Sequence, residues 1–255
     1  MTDKRYIDQM GREVTIPYFP RRIVSLVPSQ TELLIDLGLE EQLVGITKFC
    51  VHPGGLRKKK AIVGGTKKFR FEVIDELRPD LIIGNKEENY KEGIMQLAEK
   101  YPVWMSDIFN LEDALRMIQE IGNITGKKEV SQLLAKEISQ CFHAAIDSKG
   151  SAVYLIWQEP HMAVGGATFI DEMLAKAGFK NLIAQVRYPT VTLEQIKELC
   201  PDFLLLSSEP FPFKEKHVQA LQRELPETKV QLVDGEMFSW YGSRLRYAVD
   251  YFRSI

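Results

Sequence analysis

Residues 71–83 read FEVIDELRPDLII and residues 193–205 read LEQIKELCPDFLL, with six of thirteen positions identical at a constant offset of 122. The matches pair Glu72 with Glu194, Ile74 with Ile196, Glu76 with Glu198, Leu77 with Leu199, Pro79 with Pro201 and Asp80 with Asp202. Each copy reads as a helix, a stop at Pro-Asp and an apolar strand, because proline cannot continue a helix. One such stretch is ordinary in α/β proteins, but two in register imply a chain of two similar halves.

The same alternation extends outward from both copies. YIDQMGREVTIPYFPRRIVSL predicts a small hairpin leading into a buried strand at 22–27. In PSQTELLIDLG, Ser29 is the expected N-cap, Glu32 completes a capping box and Gly38 ends the helix. LVGIT, DLIIG and VWM then read as strands separated by helices. The second half repeats the pattern through AVYLIW, DFLLLS and KVQLVD, with a last helix from Ser243 to Arg253. Strands alternating with helices predict mainly parallel sheets covered on both faces, an α/β fold.

Between the halves, Val130, Leu133, Leu134, Ile138, Cys141, Phe142 and Ala145 recur at helical spacing, bracketed by Gly126 and Gly150. A helix from Lys127 to Ser148 would be about 33 Å long and would hold two lobes at a fixed separation. The expected division is an N-terminal lobe 1–125, a connecting helix 126–149 and a C-terminal lobe 150–255.

Lys+Arg 33 against Asp+Glu 35 gives a formal net charge of −2, which removes any global basic field for nucleic acid or an anionic membrane. Three cysteines are too few for a disulfide framework. No apolar run approaches the ~20 residues of a membrane span, and MTDKRYIDQMGREV lacks the apolar core of a secretory signal. Cys50-Val51-His52 and Cys141-Phe142-His143 share a spacing, but the second falls within the expected helix, where i and i+2 side chains diverge, so no metal site is expected. His161 and His217 read as surface residues. No P-loop, dinucleotide fingerprint, nucleophile elbow or HExxH occurs, which argues against an enzyme.

Ligands of open parallel sheets bind beyond the carboxyl ends of the strands. The first half places Ser29, Gln30, Thr31, Phe49, His52, Thr66 and Asn85 there, and the second places Trp157, Tyr188, Phe238, Trp240, Tyr241 and Arg244. Large rigid rings with polar handles suit a flat or bulky ligand.

The stretch from GREVTIPYFPRRIVSLVPSQTELLIDLGL through FEVIDELRPDLIIG, with the single crossing helix and PTVTLEQIKELCPDFLLLS, resembles the substrate-binding proteins of ABC importers for vitamin B12, ferric siderophores and haem. The likeness is strongest to the cobalamin-binding branch. It implies two Rossmann-like lobes joined by one long rigid helix, a ligand clasped between them, no catalysis and no resident cofactor or metal. It also implies a monomer that docks on an ABC permease dimer with its ATPase. In this family each lobe presents one surface glutamate to the permease, and Glu72 and Glu194 fall on those positions. The cleft pattern falls on Phe49, His52, Thr66, Asn85, Trp157 and Tyr188, with an acid at Glu236. Thr66 and Asn85 replace tryptophan-like positions, and Trp240 stands where a basic residue is expected, a charge that Arg244 would supply one turn on.

The resemblance implies work in a periplasm or at a cell surface after loss of a leader; read without one, the chain would be cytoplasmic. The alternatives are a ferric-siderophore or haem receptor, a cytoplasmic corrinoid- or metal-cofactor-handling enzyme or chaperone on the same fold, and a scaffold with a vestigial cleft.

Overall fold

A computed structural model describes residues 3–255. Contacts divide the chain into two units. Unit 1 holds residues up to Ile108, Glu112–Ser139 and Tyr241–Arg244; unit 2 holds Phe109–Leu111, Gln140–Trp240 and Leu245–Ile255.

Unit 1 begins with the hairpin expected from the sequence, β1 (Lys4–Ile7) antiparallel to β2 (Glu13–Ile16). It continues through β3 (Ile23–Ser25), α1 (Pro28–Asp36), β4 (Leu43–Ile46), α2 (Leu56–Lys59) and β5 (Ala61–Ile62). A two-residue ribbon, β6 (Gly64–Gly65) with β7 (Lys68–Phe69), leads to α3 (Phe71–Leu77), β8 (Leu81–Asn85), α4 (Lys91–Ala98), β9 (Val103–Ser106), α5 (Leu111–Thr125) and α6 (Lys128–Cys141). The main sheet is parallel throughout, in the order β5-β4-β3-β8-β9. Val24, Leu26, Ile74, Ile82, Ile94 and Val103 form its core. The hairpin covers the edge strand β9: the Gln9 amide donates to the Met105 carbonyl at 3.1 Å and Arg12 to the Val103 carbonyl at 3.1 Å. An edge so covered cannot recruit another strand.

Unit 2 contains β10 (Gly150–Trp157), β11 (Met162–Ala163), α7 (Phe169–Lys176), β12 (Phe179–Asn181), α8 (Leu193–Leu199), β13 (Phe203–Ser207), α9 (Glu215–Glu224), β14 (Lys229–Val233), α10 (Gly235–Ser239) and α11 (Leu245–Ser254). Its sheet runs β11-β10-β13-β14, with β12 also on β10; only β11 is antiparallel. Val153, Leu155, Ile196, Leu204 and Leu206 fill its core.

The in-register repeat has a structural cause in each unit. Ile74 and Ile196 are fully buried. Arg78 and Cys200 end their helices in the left-handed region, both at φ 44°, one residue before proline. The two aspartates then tie the strand to its neighbour. Asp80 accepts the Arg21 and Arg22 amides at 2.8 Å, and Asp202 accepts the amide and hydroxyl of Ser151 at 2.7 Å.

Three local expectations are corrected. The helix expected from Lys127 to Ser148 runs only over Lys128–Cys141. Beyond it the chain turns at residues 142–144, and the Lys149 amide donates to the Gly178 carbonyl at 2.8 Å, which ties the segment before β10 to unit 2 rather than to the helix. Of its apolar face, Leu134 and Ile138 are buried, whereas Val130 and Leu133 are exposed. The capping box at Ser29 and Glu32 does not form, because Pro28 already occupies the first turn and Val27 is the N-cap. The last helix starts at Leu245, not Ser243.

Candidate functional site

Because the main sheet of unit 1 is parallel, the residues following β3, β4, β8 and β9 gather at one edge. A buried polar network ties that edge together. Thr31 donates to Ser25 at 2.8 Å, Cys50 to Thr31 at 3.1 Å, and Gln30 and Asn85 both donate to the Ser106 hydroxyl, at 2.6 and 3.0 Å. The Asn89 amide donates to the carbonyls of Leu26 and Thr66. Burial pushes the Cys50 thiol up, against its hydrogen bonds with Thr31 and Thr47, so it is an inert part of this network.

Three residues of the edge present surface. Phe49 is 49% exposed, and its ring lies on Gly65, where an added Cβ would come within 3.2 Å of it. His52 is half-buried beside it in the loop after β4. Thr66 is half-buried on the β6–β7 turn. Ser29 and Asn85 are each only 2% exposed. Asn85 is committed to structure: its Oδ1 accepts the Glu87 and Glu88 amides and its Nδ2 donates to Ser106.

Tyr241 and Arg244, placed in the second half by sequence position, belong to unit 1. The buried Tyr241 hydroxyl donates to Glu88 at 2.8 Å and sits against Ser29; burial, then the Glu88 charge, push its phenol far above the usual range. Gly242 makes the approach possible, since a Cβ there would meet the Ser29 carbonyl at 2.6 Å. Arg244 forms a two-bond pair with Glu32, at 2.9 and 2.7 Å. Burial lifts the Glu32 carboxyl, and the Arg244 hydrogen bond pulls it partly back.

In unit 2 the corresponding edge follows β10, β13 and β14. Trp157 ends β10 with 40% of its surface exposed, its ring 5.6 Å from Phe211 and edge-on. Tyr188 is half-buried with the Arg187 guanidinium 5.6 Å from its ring. Glu236 is half-buried on α10, where its amide is capped by Asp234 at 3.0 Å. Trp240 is buried, and its indole N–H donates to Glu209 at 3.0 Å; Ser239 donates to the same oxygen at 2.6 Å. Phe238 is core, packed on Tyr154 and Phe252.

Glu209, absent from the sequence reading, is a half-buried carboxylate whose pKa is raised. Burial raises it, the Ser239 hydrogen bond opposes that, and the Glu236 charge adds to the rise. It lies two residues past the end of β13, a position that no sequence pattern singles out. Of the two histidines read as surface residues, His161 is the one drawn further inward. His161 is half-buried, and burial lowers its imidazole. His217 accepts the Lys214 amide at 2.8 Å and packs on Phe211 and Phe213, 5.5 Å away.

Glu72 and Glu194 both lie in the first helical turn and both are exposed. Arg70 reaches Glu72 at 3.4 Å. The amide of Glu194 itself, then the Thr192 hydroxyl, hold the Glu194 carboxyl below the ordinary range. Among the described residues, no group of three or more acidic, histidine or cysteine side chains could hold a metal ion, and no helix is long and apolar enough to cross a membrane.

The family model described as periplasmic binding protein matches residues 23–228. A vitamin B12-binding protein from Pectobacterium carotovorum subsp. carotovorum (strain PC1) is 25% identical over 239 residues, covering 90% of this chain and 86% of that protein. An uncharacterized ABC transporter substrate-binding lipoprotein, YvrC, from Bacillus subtilis (strain 168) is 27% identical over 212 residues, 78% of this chain and 67% of that one. The apo structure of the periplasmic heme-binding protein RhuT from Roseiflexus sp. RS-1 shares the fold with a TM-score of 0.79, at 23% identity, over 92% of this chain and 98% of that one. The chain belongs to the periplasmic binding protein family, and is a substrate-binding protein rather than an enzyme.

Proposed function

We propose that this protein is a corrinoid receptor, a monomer working outside the cytoplasmic membrane that delivers its ligand to an ABC permease dimer with its ATPase. The observation that carries the reading is the pair of exposed aromatic faces at strand carboxyl ends, Phe49 in unit 1, whose amide donates to the buried Thr47, and Trp157 in unit 2, edge-on to Phe211. Exposed rings held by a rigid edge suit apolar burial and stacking against a macrocycle. His52, Thr66, Tyr188 and Glu236 are half-buried and offer polar tips for orientation. Asn85, Trp240, Tyr241 and Arg244 are instead engaged with Ser106, Glu209, Glu88 and Glu32, and Ser29 is buried. The name of the Pectobacterium relative favours a corrinoid among the ligands of the family.

Glu72 and Glu194 serve in this reading as the two permease-docking carboxylates. Their equal placement in duplicated helices supports it, since two fixed charges set orientation as well as encounter rate.

Titration of the purified protein with cyanocobalamin and aquocobalamin, followed by tryptophan fluorescence, tests the ligand. Saturable one-to-one quenching is expected, with Trp157→Ala weakening binding roughly tenfold, the scale of one lost ring contact. Saturation by haem or a ferric siderophore with no corrinoid response would replace the corrinoid and retain the receptor. No saturable response to any of the three would overturn the proposal.

A further inference from the structure

A cavity of about 530 Å³ opens in unit 1 among the β1–β2 hairpin, β9 and α5, and shares no residue with the strand-end site. Its walls include Tyr6, Tyr18, Phe19, Trp104, Glu120 and Asn123, with the exposed Lys4 and Lys128 also lining it. We infer that this cavity is a second binding site, for a small uncharged planar aromatic ligand bearing an amide edge.

The polar evidence is a pair of unmet groups. Trp104 is fully buried and its indole Nε1 has no hydrogen-bond partner; Glu120 Oε2 is also buried without one. Buried polar atoms are nearly always satisfied, so two exceptions lining one cavity point to something that satisfies them. One is a donor and the other an acceptor. An amide supplies the complement to both, a carbonyl for the indole N–H and an N–H for the carboxylate. A carboxylate ligand would meet Glu120 with like charge, and a cationic one would meet Lys4 and Lys128.

The apolar evidence is an aromatic wall held in an unusual conformation. The rings of Tyr18 and Phe19 lie 3.8 Å apart between centroids, tilted by 34°. Phe19 has φ 59°, a left-handed backbone that a bulky side chain rarely adopts. Its ring rests on Gly126, where a Cβ would come within 2.5 Å of it. The Lys4 ammonium sits 4.8 Å from the Tyr18 ring. Both rings remain more than 40% exposed, so this wall is a presented surface rather than core. A volume of this size lies in the range of small-molecule sites, and an aromatic wall selects a flat ring.

Proton–nitrogen correlation spectra of the full chain test the inference, because the three indole N–H signals report Trp104, Trp157 and Trp240 separately once Trp157→Phe and Trp240→Phe are used to assign them. The probes are benzamide, benzoate and benzylamine. Benzamide is expected to shift the Trp104 signal saturably while the other two indoles stay fixed, and to bind about tenfold or more tightly than either charged probe. Glu120→Ala and Tyr18→Ala should each weaken benzamide by a similar factor; Tyr18 is exposed, so its variant keeps the assay usable if Glu120→Ala fails to fold. A Trp104 signal unmoved by benzamide, an equal response to all three probes, or a response unchanged in the variants would overturn the site.

Discussion

Glu32 and Arg244 show how residue-level burial decides an energy. Their side chains are only 14% and 11% exposed, so neither charge can be solvated if the other is removed. Glu32→Gln and Arg244→Gln are each expected to cost about 2 kcal/mol, while Glu32→Leu with Arg244→Met should cost less than either alone, since breaking a buried pair is worse than replacing it. Urea denaturation of the three variants measures this; additive losses would contradict it. Glu209 gives a pH signature. Its carboxyl is raised by burial in the folded state and returns to the ordinary range on unfolding. Its stabilising contribution is therefore fully present below the unfolded value and is lost as pH rises through the folded one. Glu209→Gln keeps an Oε1 acceptor for Ser239 and Trp240 without the charge. It should flatten the decline in stability across that window by up to about 1.4 kcal/mol per pH unit, leaving the part that Glu32 and Glu120, raised in the same direction, contribute.

At the scale of the element, the duplicated helix-stop-strand unit is a device for changing direction in few residues. Arg78 and Cys200 both hold φ 44° with a side chain attached, a conformation that glycine adopts without steric cost. Cys200→Gly and Arg78→Gly are expected to raise stability by about 0.5–1 kcal/mol. A loss in either variant, read by thermal unfolding, would show that the side chain holds the turn. This unit was legible in the sequence because proline, aspartate and a buried isoleucine each act through backbone geometry that leaves a fixed spacing. Helix length past Cys141 was not, because the hydrogen bond of Lys149 to Gly178 is tertiary and overrides periodicity. The capping pattern misled at Ser29 but a real capping box forms at Thr192 with Gln195, where no proline moves the helix start. Strands of two or three residues such as β5, β6 and β11 carry no period to read. The strand-end rule places Phe49 and Trp157 at exposed strand ends because a parallel sheet must gather those ends. It missed Glu209 and Glu88 because a single loop carboxylate has no pattern.

For the molecule as a whole, the duplicated helices raise the question of why a surface glutamate recurs where packing does not require one. Ile74 and Ile196 recur because they are core. Glu72 and Glu194 face solvent, and a first-turn carboxylate gains only a few tenths of a kcal/mol from the helix dipole. A partner that reads both would account for their recurrence, which the exposed Glu76 and Glu198 share. If they dock a permease, Glu72→Lys and Glu194→Lys should each reduce ligand-stimulated ATP hydrolysis by the reconstituted transporter, and the double variant should abolish it. Ligand affinity should stay within about twofold, because neither residue belongs to the strand-end site and long-range charge effects are screened beyond about 8 Å at physiological salt. Raising the salt concentration should slow association of the native protein with the transporter far more than that of the double variant, since only the native protein has the complementary charge to lose. Parallel loss of ligand binding and of coupling would instead place the two glutamates in maintaining the fold, and unchanged hydrolysis in the double variant would leave them as helix-start residues with no partner.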